Sequence, residues 1–335
     1  MIVGSFLSNV TSTTLTLSLA MPIIKTLNPT DPFAKAILFG IAWSGNCGGM
    51  PTTIASPQNV IAVRVVNDSG SHISFLQWCF FAFPTSTTLC LIQWLYLVKV
   101  FSVGSHDRIK VQSTNEEEKW TFQHTQASIV TIITIILWAF SDTFGDFFGH
   151  IGIISLIPIV WFFGNGTLTV NDFNSLKWST LSLLGGGLAL GEAMKLSGLL
   201  DIIADYAKDS LNGITVWTLL IILLFVESLL ASLLSSTTAA SIMFPLIMAV
   251  SGTTGKSPLV VLLSALMISC SQLFHISSFP NALVSGVCPE TNTEKSGNTP
   301  FLRGFDYIIY GWPTVLIGIL VISTIGYALV SNLNL

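Results

Sequence analysis

The chain has 335 residues, of which 51% are apolar and only 9% are Asp, Glu, Lys or Arg, against roughly 25% charged in an ordinary soluble domain. With a mean hydropathy of +0.74, that composition excludes a water-soluble globular protein. A net charge of -4 excludes an electrostatic nucleic-acid binder, and five scattered cysteines (Cys47, Cys79, Cys90, Cys270, Cys288) without a CxxC pair exclude a disulfide framework or zinc site as the organising principle.

Met1 to Leu7 carries no basic residue and runs directly into Ser/Thr-rich apolar sequence, unlike a secretory signal. Residues 7–22 (LSNVTSTTLTLSLAMP) read as a polar knot followed by an apolar helix reaching Pro22. A second helix is predicted to run into 45–62 (GNCGGMPTTIASPQNVIA), where Gly45, Gly48, Gly49, Pro51 and Pro57 interrupt it. An apolar run follows at 74–98. The segment 103–126 is hydrophilic, and its Glu116 to Glu118 run reads as a solvated loop or short surface helix. Charge-free windows at 120–141 and 147–171 come next, separated by Asp142 and Asp146, which read as loop residues.

After the hydrophilic stretch 165–177, Trp178 to Leu200 is apolar except for Glu192 and Lys195. These stand at i, i+3 and read as a mutually neutralising pair. Residues 199–212 place Asp201, Asp205, Lys208 and Asp209 opposite an apolar face and predict a helix lying along the membrane interface. Further charge-free windows cover 210–226, 228–255, 257–289 and 307–335, with hydrophilic sequence at 288–306. The windows are near or above the ~20 residues a helix needs to cross the hydrocarbon layer. The expectation is an all-α, polytopic integral membrane protein. Glu227 is an intramembrane acid to which the sequence assigns no role.

Two parts of the chain repeat. The second knot, 234–245 (LSSTTAASIMFP), is followed by 269–284 (SCSQLFHISSFPNALV), as the first is by 45–62. Pro22 to Asn59 is 37 residues and Pro245 to Asn281 is 36. Non-helical backbone at membrane depth is tolerated only where protein or a water-filled cavity satisfies it. Half-helix N-termini at such breaks favour anions and unwound carbonyls favour Na+, so matched breaks in two repeats mark the substrate site of a secondary transporter.

At these residues the chain resembles the divalent anion:sodium symporter family, and within it the fungal low-affinity phosphate transporters. The resemblance rests on Ser8-Asn9-Val10-Thr11 and Ser235-Ser236-Thr237-Thr238 as the two signatures, and on Ser56-Pro57-Gln58-Asn59 and Phe279-Pro280-Asn281 as the loop ends. The run Gly185 to Glu192 with Ser197-Gly198-Leu199 is a further family-like stretch. It implies inverted repeats, re-entrant helical hairpins and two broken transmembrane helices, in an elevator-type transporter. Residues 1–103 would be a remnant of the first repeat's transport domain, 104–126 a cytosolic loop, 127–213 scaffold helices with the interfacial helix, and 214–335 the second repeat. It also implies that the first arm of the first hairpin, the preceding scaffold and a soluble SPX domain stand upstream of Met1 in full-length members, so a fragment is expected. With the family's orientation, nine basic residues (Lys25, Lys35, Lys99, Arg108, Lys110, Lys119, Lys177, Lys295, Arg303) lie inside against three outside (Arg64, Lys208, Lys256), in accord with the positive-inside rule.

By that resemblance, Ser8, Asn9, Thr11, Ser235, Ser236 and Thr237 bind the substrate from the two tips, with Asn59 and Asn281 closing the sides. One cation would sit among Ser8, Asn9 and the carbonyls near Gly48 and Gly49, a second between Ser235 and the loop before Pro280. Two departures stand out. Val10 replaces a family Thr, which admits a rival register with Ser12 and Thr14 in the roles of Ser235 and Thr237; Ser236 replaces a family Asn, which admits H+ in place of Na+ and makes His275 a candidate proton carrier. The expected function is cation-coupled transport of inorganic phosphate across a plasma or vacuolar membrane. Alternatives are a sulfate or dicarboxylate symporter, an inactive fragment, or a channel. No cofactor beyond the coupling ion and no nucleic-acid partner is expected, and family members form homodimers. HExxH, GxSxG and a carboxylate dyad are absent, so the sequence is not read as an enzyme.

Overall fold

The computed structural model describes residues 1–27, 31–102, 120–140, 151–176, 178–210, 213–252, 255–288 and 301–333. Asp142, Asp146 and Glu116 to Glu118 lie outside the described residues. Within them the chain is helical and has no strand, in keeping with lipid as solvent, where a helix satisfies its own backbone groups. In chain order the helices are α1 (Ile2–Phe6), α2 (Asn9–Ile24), α3 (Pro32–Gly48), α4 (Pro57–Asp68), α5 (Phe75–Val100), α6 (Phe122–Ala139), α7 (Ile151–Ile154), α8 (Leu156–Gly164), α9 (Val170–Asn174), α10 (Trp178–Leu196), α11 (Leu199–Ser210), α12 (Val216–Leu233), α13 (Ser236–Ser251), α14 (Ser257–Ser269), α15 (Phe279–Ser285) and α16 (Gly304–Val321). α16 continues through a π-helical turn, Ile322–Gly326, into α17 (Tyr327–Val330).

Among the described residues, four helical rods are long and apolar enough to cross a membrane: α5, α6, α12 and the continuous Gly304–Val330. α13 and α14 are apolar but shorter, with 16 and 13 residues. At 1.5 Å per residue they extend only about 24 and 20 Å, short of the ~30 Å hydrocarbon thickness. The windows 228–255 and 257–289, each uninterrupted by charge, are thus divided, the first at Leu234 and the second after Ser269. Backbone breaks, invisible to hydropathy, decide helix length here.

The chain forms two compact units. The smaller comprises Ser74–Gln77 and Ser113–Ser182; in it α6 packs on α7 and α8. Its helix starts are capped locally: Thr121 and His124 exchange side-chain and backbone hydrogen bonds at α6, as Thr169 and Asp172 do at α9.

The larger unit comprises Met1–Ile73, Trp78–Gln112 and Leu183–Leu335 and contains both copies of the repeat. α1 and α2 meet at Leu7–Ser8 as α12 and α13 meet at Leu234–Ser235, and α3 is separated from α4 as α14 is from α15. The copies interlock, because α4 of the first packs on α13 and α14 of the second, while α15 of the second packs on α2 and α3 of the first. Two buried apolar clusters result. One gathers α4, α12, α13, α14 and the C-terminal rod with Trp78 and Phe81; the other gathers α2, α3 and α15 with Phe101, Phe301 and Tyr307. Each cluster draws on both copies, so neither repeat buries its apolar faces alone. Gly198, with φ of 73°, turns the chain between α10 and α11 in the left-handed region that glycine adopts without strain, and α11 packs on α13.

Candidate substrate and cation site

The tips are built by helix capping. The Ser8 hydroxyl accepts from the Thr11 N–H at 3.2 Å and bonds the Thr11 hydroxyl at 3.0 Å. Ser235 repeats this with Thr238, at 3.3 Å and 2.8 Å. Both serines are therefore the N-caps of the helices that leave the tips, α2 and α13, and supply the oxygen that a first helical turn lacks. This equivalence aligns Ser8-Asn9-Val10-Thr11 of the first copy with Ser235-Ser236-Thr237-Thr238 of the second. In the rival register Ser12 and Thr14 fall inside α2, where their hydroxyls bond back to the carbonyls of Asn9 and Val10.

Each tip is tied to the break of its own repeat. The Asn9 N–H donates to the Ala55 carbonyl at 3.3 Å, and the Ser236 N–H donates to the Ser277 carbonyl at 3.2 Å. The Ser236 hydroxyl adds a second bond to the Ser277 carbonyl at 3.0 Å. Asn59 and Asn281 hold the breaks closed in a matching manner, each the third residue of its helix, after the N-cap positions Ser56 and Ser278; of the two, only the Ser278 hydroxyl accepts a cap hydrogen bond. The Asn59 amide donates to the carbonyls of Gly49 and Thr52, both at 2.8 Å. The Asn281 amide donates to the Phe274 carbonyl at 3.3 Å and the Ser277 hydroxyl at 3.0 Å. Thr52 and Phe274 each stand seven positions before their asparagine. Both side-chain amides spend their protons on the loop, so these asparagines are loop braces.

The two breaks are also joined to each other. Asn46 donates to the Asn281 side-chain oxygen at 3.2 Å, and Gln58 donates to the Ser269 hydroxyl at 2.9 Å. Behind the second break, Gln272 Oε1 accepts from Thr314 at 3.0 Å and from Gln93 at 3.4 Å, while Gln93 Oε1 accepts from the Cys47 thiol at 3.3 Å. Tyr307 donates its hydroxyl to the Asn281 carbonyl at 2.9 Å. At Gly45 a side chain would run into the Thr13 hydroxyl and touch Pro280, so a bare backbone is what lets α2, α3 and the second break meet.

Among the described residues, the first break retains two buried oxygens that accept no hydrogen bond, Ser56 Oγ and Asn59 Oδ1. Ser56 is 1% exposed and Asn59 0%. A side chain at Gly49 would strike Ser56 Oγ, Asn9 Cβ and the Asn46 carbonyl, so these groups converge on one small space. Buried polar atoms ordinarily find partners, and these two neutral oxygens have none among the described residues. Gly48 packs on Met1 and Gly4 of α1. No grouping of three or more His, Cys, Asp or Glu capable of holding a metal occurs among the described residues.

The remaining predicted residues are more peripheral. Thr11 and Ser235 are exposed, and Ser8, Asn9, Ser236 and Thr237 are half-buried at the tips. His275 is exposed on the second break, edge-on to the Tyr307 ring with centroids 6.3 Å apart. Asn46, Ser56, Gln58, Gln93, Gln272 and Thr314 were not predicted as site residues. For Asn46 and Gln93 the available signal was a side-chain amide in an otherwise apolar helix, where it needs a buried partner.

These paired tips and cross-bridged breaks accompany a match to known proteins. The family model described as citrate transporter, CitMHS, matches residues 1–268 and 150–333. The chain belongs to this citrate transporter family. Over 330 residues it is 34% identical to the inorganic phosphate transporter PHO87 of Saccharomyces cerevisiae, an alignment covering 98% of this chain and 35% of that protein. The low-affinity phosphate transporter PHO90 of the same yeast is 31% identical over 330 residues, covering 98% of this chain and 36% of that protein. The sodium-dependent dicarboxylate transporter SdcS of Staphylococcus aureus is 26% identical over 314 residues, 84% of this chain and 60% of that protein. The chain thus spans about a third of the length of the two yeast relatives. Phosphate and dicarboxylate transporters among the relatives of one citrate transporter family member bear out the resemblance to the divalent anion:sodium symporters, and the chain is an integral membrane protein.

Proposed function

We propose that this chain is the substrate-translocating core of a cation-coupled secondary transporter of inorganic phosphate, working by alternating access. The observation that carries the reading is the cross-bridge between the two breaks, Asn46 to Asn281 and Gln58 to Ser269, which joins the two repeats at their breaks. Similarity to PHO87 and PHO90 directs the substrate assignment. In this reading the two knots are re-entrant hairpin tips. Ser8, Asn9, Thr11, Ser235, Ser236 and Thr237 present hydroxyls, an amide and the first turns of α2 and α13 to the anion. Neutral donors at helix N-termini hold phosphate without a full countercharge, which lets it leave again.

Asn59 and Asn281 shape the two loops, and one cation sits at the first break among Asn9, Ser56, Asn59 Oδ1 and the backbone near Gly48 and Gly49. Na+ there offsets the charge of the substrate in a medium where an unpaired ion is costly. Residues 1–103 and 214–335 would move as a transport unit against scaffold helices within 127–213, and copies of the protein would associate through the scaffold. The test is uptake of labelled phosphate by proteoliposomes with Na+ and pH gradients imposed separately, with succinate and sulfate as competitors. Uptake driven by the Na+ gradient and resistant to succinate is expected. Succinate uptake without phosphate uptake would replace the substrate, and absence of counterflow would replace the carrier by a pore.

A further inference from the structure

Glu227 lies within α12 and takes part in none of the hydrogen bonds that build the tips and breaks. It is 0% exposed, and neither carboxyl oxygen has a hydrogen-bond partner among the described residues. On α14, the Ser264 hydroxyl is likewise 0% exposed and without a hydrogen bond among the described residues. α12 packs against α13, α14, α16 and the π-helical turn. Of these, α13, α14 and the turn contain no titratable residue. α16 contributes Asp306, Tyr307 and Tyr310, each engaged elsewhere. Asp306 accepts from Lys35 at 2.8 Å, Tyr307 donates to the Asn281 carbonyl, and Tyr310 packs on Phe101. Cys270, just beyond α14, lies against Gly318.

A carboxylate in such surroundings has neither a countercharge nor a donor set, and an uncompensated buried ion is among the costliest arrangements a protein can hold. The neutral acid carries no charge to compensate, so it is the form that such surroundings hold at the lower cost. We propose that Glu227 is an internal proton-binding site, which takes up one proton as α12 packs into the folded chain. The site deepens the cation-coupled reading of the proposed function and names a second, protonic ligand in a different part of the same unit. The proton is the only species exchanged: the carboxylate gains it from water on folding and returns it to water on unfolding.

The test uses the full chain in lipid nanodiscs and needs no phosphate, so its outcome is independent of whether phosphate is the substrate. Thermal unfolding is followed from about pH 5 to about pH 8, where linkage makes stability fall with rising pH if the folded state holds the extra proton. Wild type should lose melting temperature across this range by more than Glu227→Gln or Glu227→Leu, both of which lack the titrating group. Its infrared spectrum should carry a protonated-carboxyl C=O band that is missing from both variants. Equal pH slopes in wild type and the variants, or no such band in wild type, would overturn the proposal. Should neither variant fold, the wild-type band alone decides.

Discussion

The side-chain amide of Asn46 donates to the side-chain oxygen of Asn281 at 3.2 Å, joining positions 235 residues apart. Asn46 closes the first half of one broken helix and Asn281 opens the second half of the other, so this single bond registers the two repeats at their crossing point. Asn46→Leu should cost about 1–3 kcal/mol, the usual penalty for leaving a buried acceptor unsatisfied. Since Asn281 also braces its own loop, a double-mutant cycle of Asn46→Leu with Asn281→Leu should show coupling of about 0.5 kcal/mol or more. Thermal unfolding in nanodiscs measures both; additive losses would show that the contact contributes nothing.

Ser56 separates a structural role from a ligand role. Its buried hydroxyl has no partner, so Ser56→Ala should leave stability unchanged or raise it by about 1 kcal/mol. The same change should raise the Na+ concentration needed for half-maximal uptake several-fold, because it deletes a proposed ligand. Unaltered Na+ dependence would remove Ser56 from the cation site.

A side chain at Gly49 would occupy the space between Ser56, Asn9 and the Asn46 carbonyl. Gly49→Ala is expected to abolish Na+-stimulated uptake while the protein still inserts and purifies as a folded species, checked by size-exclusion profile and uptake in parallel. Substitution of Gly186, which has open space around it, should leave uptake at the wild-type level and serves as the control.

Loss of either cap should act on both folding and affinity. Ser8→Ala and Ser235→Ala each remove an N-cap oxygen, which costs about 0.5–2 kcal/mol. Beyond this, each should raise the phosphate KM, whereas Thr121→Ala at the start of α6 should show the stability loss alone. A KM unchanged in both tip variants would leave capping as the whole role of these serines.

Composition and charge spacing were sufficient for the all-helical membrane class, because lipid penalises both charge and unpaired backbone. The Ser/Thr knots and the Gly/Pro-rich stretches were equally legible, since the residues that permit a break are local. Choosing between Ser8 and Ser12 as the start of the first signature was not possible from spacing, because Ser8 stands 14 residues before Pro22 and Ser235 only 10 before Pro245; the shared N-cap position is what aligns Ser8 with Ser235. Asn59 and Asn281 were recognisable as special, yet both turn their amide protons toward the loop, and only tertiary structure shows where an amide points.

By itself, the sequence determined that the chain lives in a membrane, that it repeats, and where its helices break, all of which follow from solvent and backbone chemistry acting within a few residues. Tertiary structure alone decided that the breaks cross, with Asn46 on Asn281 and Gln58 on Ser269, and that Ser56 and Asn59 keep unspent oxygens beside Gly49. It also decided that Glu227 sits buried without a countercharge. The physical reason is common to all three: a polar group's chemistry in a low-dielectric interior is set by what faces it, and here the facing groups come from parts of the chain far apart in sequence.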